Sequence, residues 1–311
     1  MTRIHRLLSG PTFASLRVRN YRLFAAGAVA TSTGTWMQRV AQDWLVLQLT
    51  SSGAALGITT GLQFLPMLLF SPWAGILADR FPKRQLLMVT QTAMGLSAAL
   101  LGVLAIAEVA TEMHVYAIAL LFGTAAAFDQ PARQAFVNEM VGPALVANAV
   151  GLNSSSFNLA RMIGPAAAGA MIAALGSDER ATGWVILLTA VGYIVTLYTL
   201  TRLNTDELHP PPLLPRAKGQ LTDAIRYVRS RPDIVLVLGV VFCAGTFGLN
   251  FQLTTALMAT EVYGKGAGEY GILGSVLAIG SLAGGLVAAR RGTSRQRLVI
   301  LSALAFGAAE V

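Results

Sequence analysis

A few ionisable side chains stand where the sequence is otherwise apolar. Arg39 and Asp43 are four residues apart and share one helix face, with Gln38 and Gln42 beside them. A charge held in hydrocarbon costs about 2.5–3.5 kcal/mol on insertion scales, so such residues are functional candidates. Asp43 is a candidate proton carrier with Arg39 as its partner; the alternative is a fixed ion pair that only holds the helix in place. Asp129 and Arg133 repeat the same spacing. Asp129 is expected to pair with Arg80 or Arg84 in a gating network rather than to touch a ligand. Arg161, one turn before Gly164, is expected to be buried. It is a candidate for holding an anionic or catecholate-like ligand, or for neutralising an acid elsewhere. Gln38, Asn158 and Asn250 are further candidates to line a cavity, and Asn153 and Gln252 add uncharged polarity of a kind that more often joins helices.

These residues are carried by long apolar segments. Of 311 residues, 54% are hydrophobic and 12% charged, and the mean hydropathy is +0.61. A soluble domain carries about 25% charged residues. Apolar runs long enough to cross about 30 Å of hydrocarbon recur along the chain. Eight spans are expected, near 23–48, 54–77, 85–107, 113–134, 145–175, 183–201, 234–258 and 267–289, and another opens near 298. The fifth is long for a straight crossing, so a bend is expected at Gly164-Pro165. The chain reads as an all-α, polytopic membrane protein. Gly57-x-x-x-Gly61 and Gly280-x-x-x-Gly284 look like faces for close helix approach.

The basic residues set the orientation. Nineteen of the 23 Lys and Arg residues fall before the first span or beside alternate connections, only Arg180 and Lys265 lie on the other side, and Arg39 and Arg161 are inside spans. By the positive-inside rule the N-terminus is cytoplasmic. The net charge of +8 is therefore a topology signal, and no nucleic-acid partner is expected. The connection 203–233 is the long one. It opens with His209 and three prolines and continues as LTDAIRYVRSRP, where Leu221, Ile225 and Val228 share a face. An amphipathic helix on the headgroups fits this pattern. The organisation expected is a six-helix bundle over 1–202, a cytoplasmic linker over 203–233 and a partial second bundle over 234–311.

Residues Gly75-Ile-Leu-Ala-Asp79-Arg80-Phe-Pro-Lys83-Arg84 carry an acid–base pair and two further cations in one turn between spans. Gly75 permits close helix approach, and the charges can form a latch that holds only one conformation. This stretch resembles the signature loop of the major facilitator superfamily, with Pro82 where that family usually has glycine. A weaker copy, Gly285 to Gly292, lacks the acid. Phe128 to Arg133, the run NSSSFNLARMIGPAAAG, Trp36-Met37-Gln38 and Asp43-Trp44 resemble the subgroup of enterobactin-type siderophore exporters and macrolide and tetracycline efflux proteins (the transmembrane secretion effector type). Gly164, Pro165 and Gly169 resemble the glycine–proline motif of the superfamily's antiporters. The resemblance implies proton-coupled export of small hydrophobic or siderophore-like molecules by alternating access. It also implies twelve spans, so this chain is expected to be a C-terminally truncated form ending within a ninth. It places the protein in a bacterial cytoplasmic membrane, expected as a monomer, with a small-molecule substrate, protons and the bilayer as partners. An uptake porter of the same superfamily, or a truncated protein that does not transport, are the alternatives.

Other chemistries fit poorly. His5, His114 and His209 lie at span edges or loops, so no intramembrane serine or metal protease can be assembled from them. No phosphate-binding loop accompanies a nucleotide domain. Cys243 is the single cysteine, so no disulfide framework or thiol metal site is expected. No cleavable signal peptide is read in the basic first 22 residues. The protein is not expected to be an enzyme, and no cofactor or metal is expected.

Overall fold

A computed structural model describes residues 11–209, 220–243 and 257–264, together with isolated positions up to 308. Six long helices lead: α1 Arg19–Thr50, α2 Gly53–Arg80, α3 Lys83–Ile106, α4 Glu112–Met140, α5 Val146–Ala174 and α6 Glu179–Thr201. The short helices α7 Gln220–Arg229 and α8 Pro232–Cys243 follow. No strand occurs among the described residues. Residues 210–219, Asn250, Gln252 and the 285–292 copy lie outside the described residues, as does most of the stretch read as an eighth span.

Local chemistry sets the boundaries. Ser52 caps α2 by accepting from the Ala55 N–H, and Asp178 caps α6 by accepting from Ala181 at 2.7 Å. Thr111 and His114 form a reciprocal capping box at the start of α4. Helix α1 stops at Ser51, which turns left-handed at φ 50°. Helix α5 continues through Pro165 without a break, and α7 falls where the amphipathic pattern predicts a helix.

Helices α2, α3, α4 and α6, and α5 with the turn before it, are long and apolar enough to cross a membrane. The longest, α1, does not meet that measure, because Gln38, Arg39, Gln42 and Asp43 sit in its middle. All four of these side chains are buried. Helix α1 packs along α6 and α5, α6 also packs on α3, and α3 and α2 both pack on α4. Large apolar side chains such as Leu68, Trp73, Val89, Leu96 and Ile194 face outward. Polar groups inside and apolar groups outside define a multi-pass membrane protein.

Glycine controls how closely these helices meet. A Cβ on Gly183 would fall 2.7 Å from the Ile106 nitrogen and 2.9 Å from the Gly102 carbonyl, so α3 and α6 touch backbone to backbone. A Cβ on Gly123 would lie 2.5 Å from the Gln63 carbonyl, and one on Gly164 would lie 2.6 Å from Cβ of Trp36. The sequence placed close approach at other positions. At Gly57, Gly61, Gly75 and Gly280 an added Cβ would meet nothing within 4 Å among the described residues. Spacing alone does not say which face of a helix its neighbour covers.

Of three apolar cores among the described residues, two lie at opposite ends of the bundle and a smaller one around Met94, Phe122 and Tyr193 lies between them. Val46, Leu56, Val115 and Ile172 belong to the core near Thr50, and the later residue Ala259 is buried among them. Tyr21, Phe24, Leu87 and Phe136 belong to the core near Lys83. Between the two lies a polar layer.

Candidate functional site

That polar layer is organised around Asp129. Its Oδ1 accepts from Thr90 Oγ1 at 2.8 Å and from Gln91 Nε2 at 2.7 Å. Its Oδ2 accepts from Arg133 Nε at 3.1 Å and Nη2 at 3.0 Å. Four donors, two of them from a guanidinium, converge on this one buried carboxylate. Gln91 then accepts from Thr31, which also bonds Thr196, and Thr196 donates to the Gly27 carbonyl. One connected network thus ties α1, α3, α4 and α6. The expected partners of Asp129, Arg80 and Arg84, are not used. Asp79 and Arg80 are exposed at the end of α2. Arg84 instead donates to the carbonyls of Leu200 and Thr201, where a cation suits the negative end of α6.

The basic loop makes a buried ion pair, through a residue the sequence did not single out. Lys83 Nζ lies 2.9 Å from Glu139 Oε1, with both side chains 6% exposed. The Glu139 carbonyl also accepts from the His209 N–H at 2.8 Å. Glu139 was legible only as the last acid before the Gly142-Pro143 turn.

Asp43 is placed differently. It is 3% exposed, its Oδ1 has no hydrogen-bond partner among the described residues, and Gln63 lies beside it. The i,i+4 spacing suggests an ion pair with Arg39, but Arg39 does not form one. Its guanidinium lies 4.2 Å from the ring centroid of Phe64 and 5.3 Å from that of Trp36. Cation–π attraction of this kind is worth about 2 kcal/mol when desolvated. Gln38 turns toward α6, accepting from Tyr193 at 3.3 Å, and Gln42 donates to the Val115 carbonyl at 3.1 Å. Both therefore join helices rather than line a cavity.

A cavity of about 360 Å³ opens beside Trp36, Arg39, Phe64, Phe157 and Arg161. It meets a wider groove of about 690 Å³ that runs toward the Lys83 end past Gln130, Asn153 and Asn158. Arg161 is not buried as expected: it is exposed on α5, with its guanidinium 5.4 Å from the Trp36 ring. Gly164, Pro165 and Gly169 are buried, and Gly164 seats α5 against α1 at Trp36. At the Thr50 end Leu257 packs against Gly53 and Ala259 is 1% exposed within the apolar core.

A helical membrane bundle with buried charges around a central cavity has the architecture of a major facilitator transporter. The solved structures agree: a bacterial homolog of the human lysosomal transporter Spinster, in an inward-facing and unoccupied conformation, superposes with a TM-score of 0.62 at 19% identity, covering 87% of this chain and 63% of that one. Residues 10–311 match the family model described as transmembrane secretion effector, and the chain belongs to that family. Its members are transporters, not enzymes. The staphyloferrin A transporter of Staphylococcus aureus is 26% identical over 276 residues, which is 86% of this chain and 66% of that protein. The multidrug efflux pump Tap of Mycolicibacterium fortuitum is 28% identical over 298 residues, 92% of this chain and 71% of that protein. The chain spans about two thirds of the length of these relatives.

Proposed function

We propose that this chain is the greater part of a secondary transporter of a bacterial inner membrane that exports small hydrophobic or siderophore-like molecules in exchange for protons. The observation that carries the reading is the contrast between two buried carboxylates. Asp129 is held by four donors, whereas Asp43 has an unpartnered oxygen and no ion pair among the described residues. A buried charge without full hydrogen bonding is expensive at membrane depth, so Asp43, rather than Asp129, is the candidate proton carrier. Efflux relatives and the family match support the direction of transport.

In this reading residues 1–202 form one moving body, 203–233 a cytoplasmic linker and 234–311 part of the second body. The Lys83 end faces the cytoplasm, and a single copy suffices. The groove that runs toward Lys83, with apolar packing at Leu257 and Ala259 at the other end, suits loading from the Lys83 side. Lys83 and Glu139, with Asp79, Arg80 and Arg84 nearby, hold the loading state, while the Asp129–Arg133 pair fixes the four-helix layer behind it. Gly164, Pro165 and Gly169 let α5 slide on α1 as the cavity closes.

The test is transport by purified protein in vesicles carrying a proton gradient, with a panel of dyes, macrolides, tetracyclines and siderophores. At least one panel member should move against its concentration gradient, and Asp43→Asn should abolish that movement. Absence of gradient-driven movement for every member, or wild-type transport by Asp43→Asn, would overturn the reading.

A further inference from the structure

The geometry points to a binding site for an amphipathic organic anion at Arg39 and Arg161, with a flat apolar body lying against Trp36, Phe64 and Phe157. It rests on the transport reading only for the purpose of the cavity. The physical case begins with like charges. Two guanidinium groups share one indole ring, at 5.3 and 5.4 Å from its centroid. Neither forms an ion pair with a described acid. Arg39 lines the cavity although it is only 6% exposed, and its buried Nε has no hydrogen-bond partner among the described residues. Leaving a charged donor unsatisfied costs more than leaving a neutral one.

The acids nearby do not supply the missing charge. Asp129 is already committed to Arg133, Thr90 and Gln91. Asp43 is one turn along α1 from Arg39 and offsets that one cation at most. Three guanidinium groups, Arg39, Arg133 and Arg161, line the cavity with one carboxylate, Asp129, and counting Asp43 still leaves one cation over. A carboxylate or sulfonate bridging Arg39 and Arg161 would accept bidentate hydrogen bonds and relieve their repulsion.

The apolar part of the ligand is specified as well. Trp36 and Phe157 meet edge to face, with centroids 5.8 Å apart, and Met67 and Met94 complete the wall. A planar ring can stack against these groups, and methionine adapts to its outline. A volume of about 360 Å³ suits an aromatic acid of modest size.

Binding is tested on the detergent-purified full chain, with Trp44, Trp73 and Trp184 changed to Phe so that Trp36 alone reports. Three matched quenchers are compared: 4-nitrobenzoate, neutral 4-nitrobenzamide and 4-nitrobenzylammonium. Saturable quenching by the anion is expected at a concentration at least tenfold below that of the other two. Arg161→Gln should weaken the anion five- to tenfold and leave the amide unchanged, with Arg161→Lys in between. Because Arg161 is exposed, these variants should fold. Equal midpoints for the three probes, or an unchanged anion midpoint in Arg161→Gln, would overturn the assignment. Displacement of 4-nitrobenzoate by stoichiometric phosphatidylglycerol would also overturn it, by giving the site to a lipid headgroup. The assay needs no transport: selective quenching without efflux would sink the transport reading alone, and efflux without selective quenching would sink this one alone.

Discussion

Lys83 and Glu139 join the first turn of α3 to the last turn of α4 across 2.9 Å. Each sits at the helix end that disfavours its charge: lysine at a positive N-terminus and glutamate at a negative C-terminus. Their pairing cancels both penalties at once. Removing one partner leaves the other buried and alone. Lys83→Gln or Glu139→Gln should therefore each destabilise the bundle by about 3 kcal/mol, near the lower end for a broken buried pair. The double variant should lose less than the sum of the two, and thermal unfolding in detergent reads the coupling.

Asp129 and Asp43 should respond in opposite ways to the same substitution. Asp129→Asn discards the charge that Arg133 needs and should lower the unfolding midpoint by several degrees. Asp43→Asn removes a charge without an ion pair and should leave stability within about 0.5 kcal/mol or raise it. If Asp43→Asn proves the more destabilising of the two, the contrast between the acids is wrong.

Gln91 bridges Asp129 and Thr31 with both ends of its amide. Gln91→Leu keeps the volume and strands the partners, so a loss of about 1–3 kcal/mol is expected. Thr31→Val should cost less, and combining the two should add little, since both cut the same chain of hydrogen bonds.

The glycines separate into two sets by stability. Gly102→Ala and Gly183→Ala each push a methyl into backbone under 3 Å away and should cost about 1–3 kcal/mol. Gly57→Ala and Gly61→Ala should be neutral or stabilising by up to about 1 kcal/mol through helix propensity.

Much of the helical framework was legible because apolar run length reports span length directly, and five of the six first spans meet the same measure in the structure. The i,i+4 spacing of Asp129 and Arg133 was visible, but the partner expected for Asp129 was Arg80 or Arg84, and the local pair formed instead. Identical spacing misled at Arg39 and Asp43, because two aromatic rings from different helices compete for the cation. Phe64 comes from α2, and nothing in a one-dimensional pattern puts it beside Arg39. Lys83 and Glu139 are separated by a whole hairpin, so their meeting depends on how α3 and α4 pack. Gly75 was chosen for its place in a motif, but a glycine makes close contact only where a neighbour covers it.

Helix α1 holds the most polar midsection of the six leading helices, and that has a consequence for biosynthesis. With Arg39 and Asp43 at its centre, it partitions poorly into lipid when alone. Its residence in the bilayer depends on later helices, above all α5 and α6, arriving to shelter that face. The bundle is thus assembled with its least lipid-soluble member waiting for its partners. Substitutions at Gly164 or Gly192, which seat those partners on α1, should appear first as degraded protein, before any defect in a finished transporter.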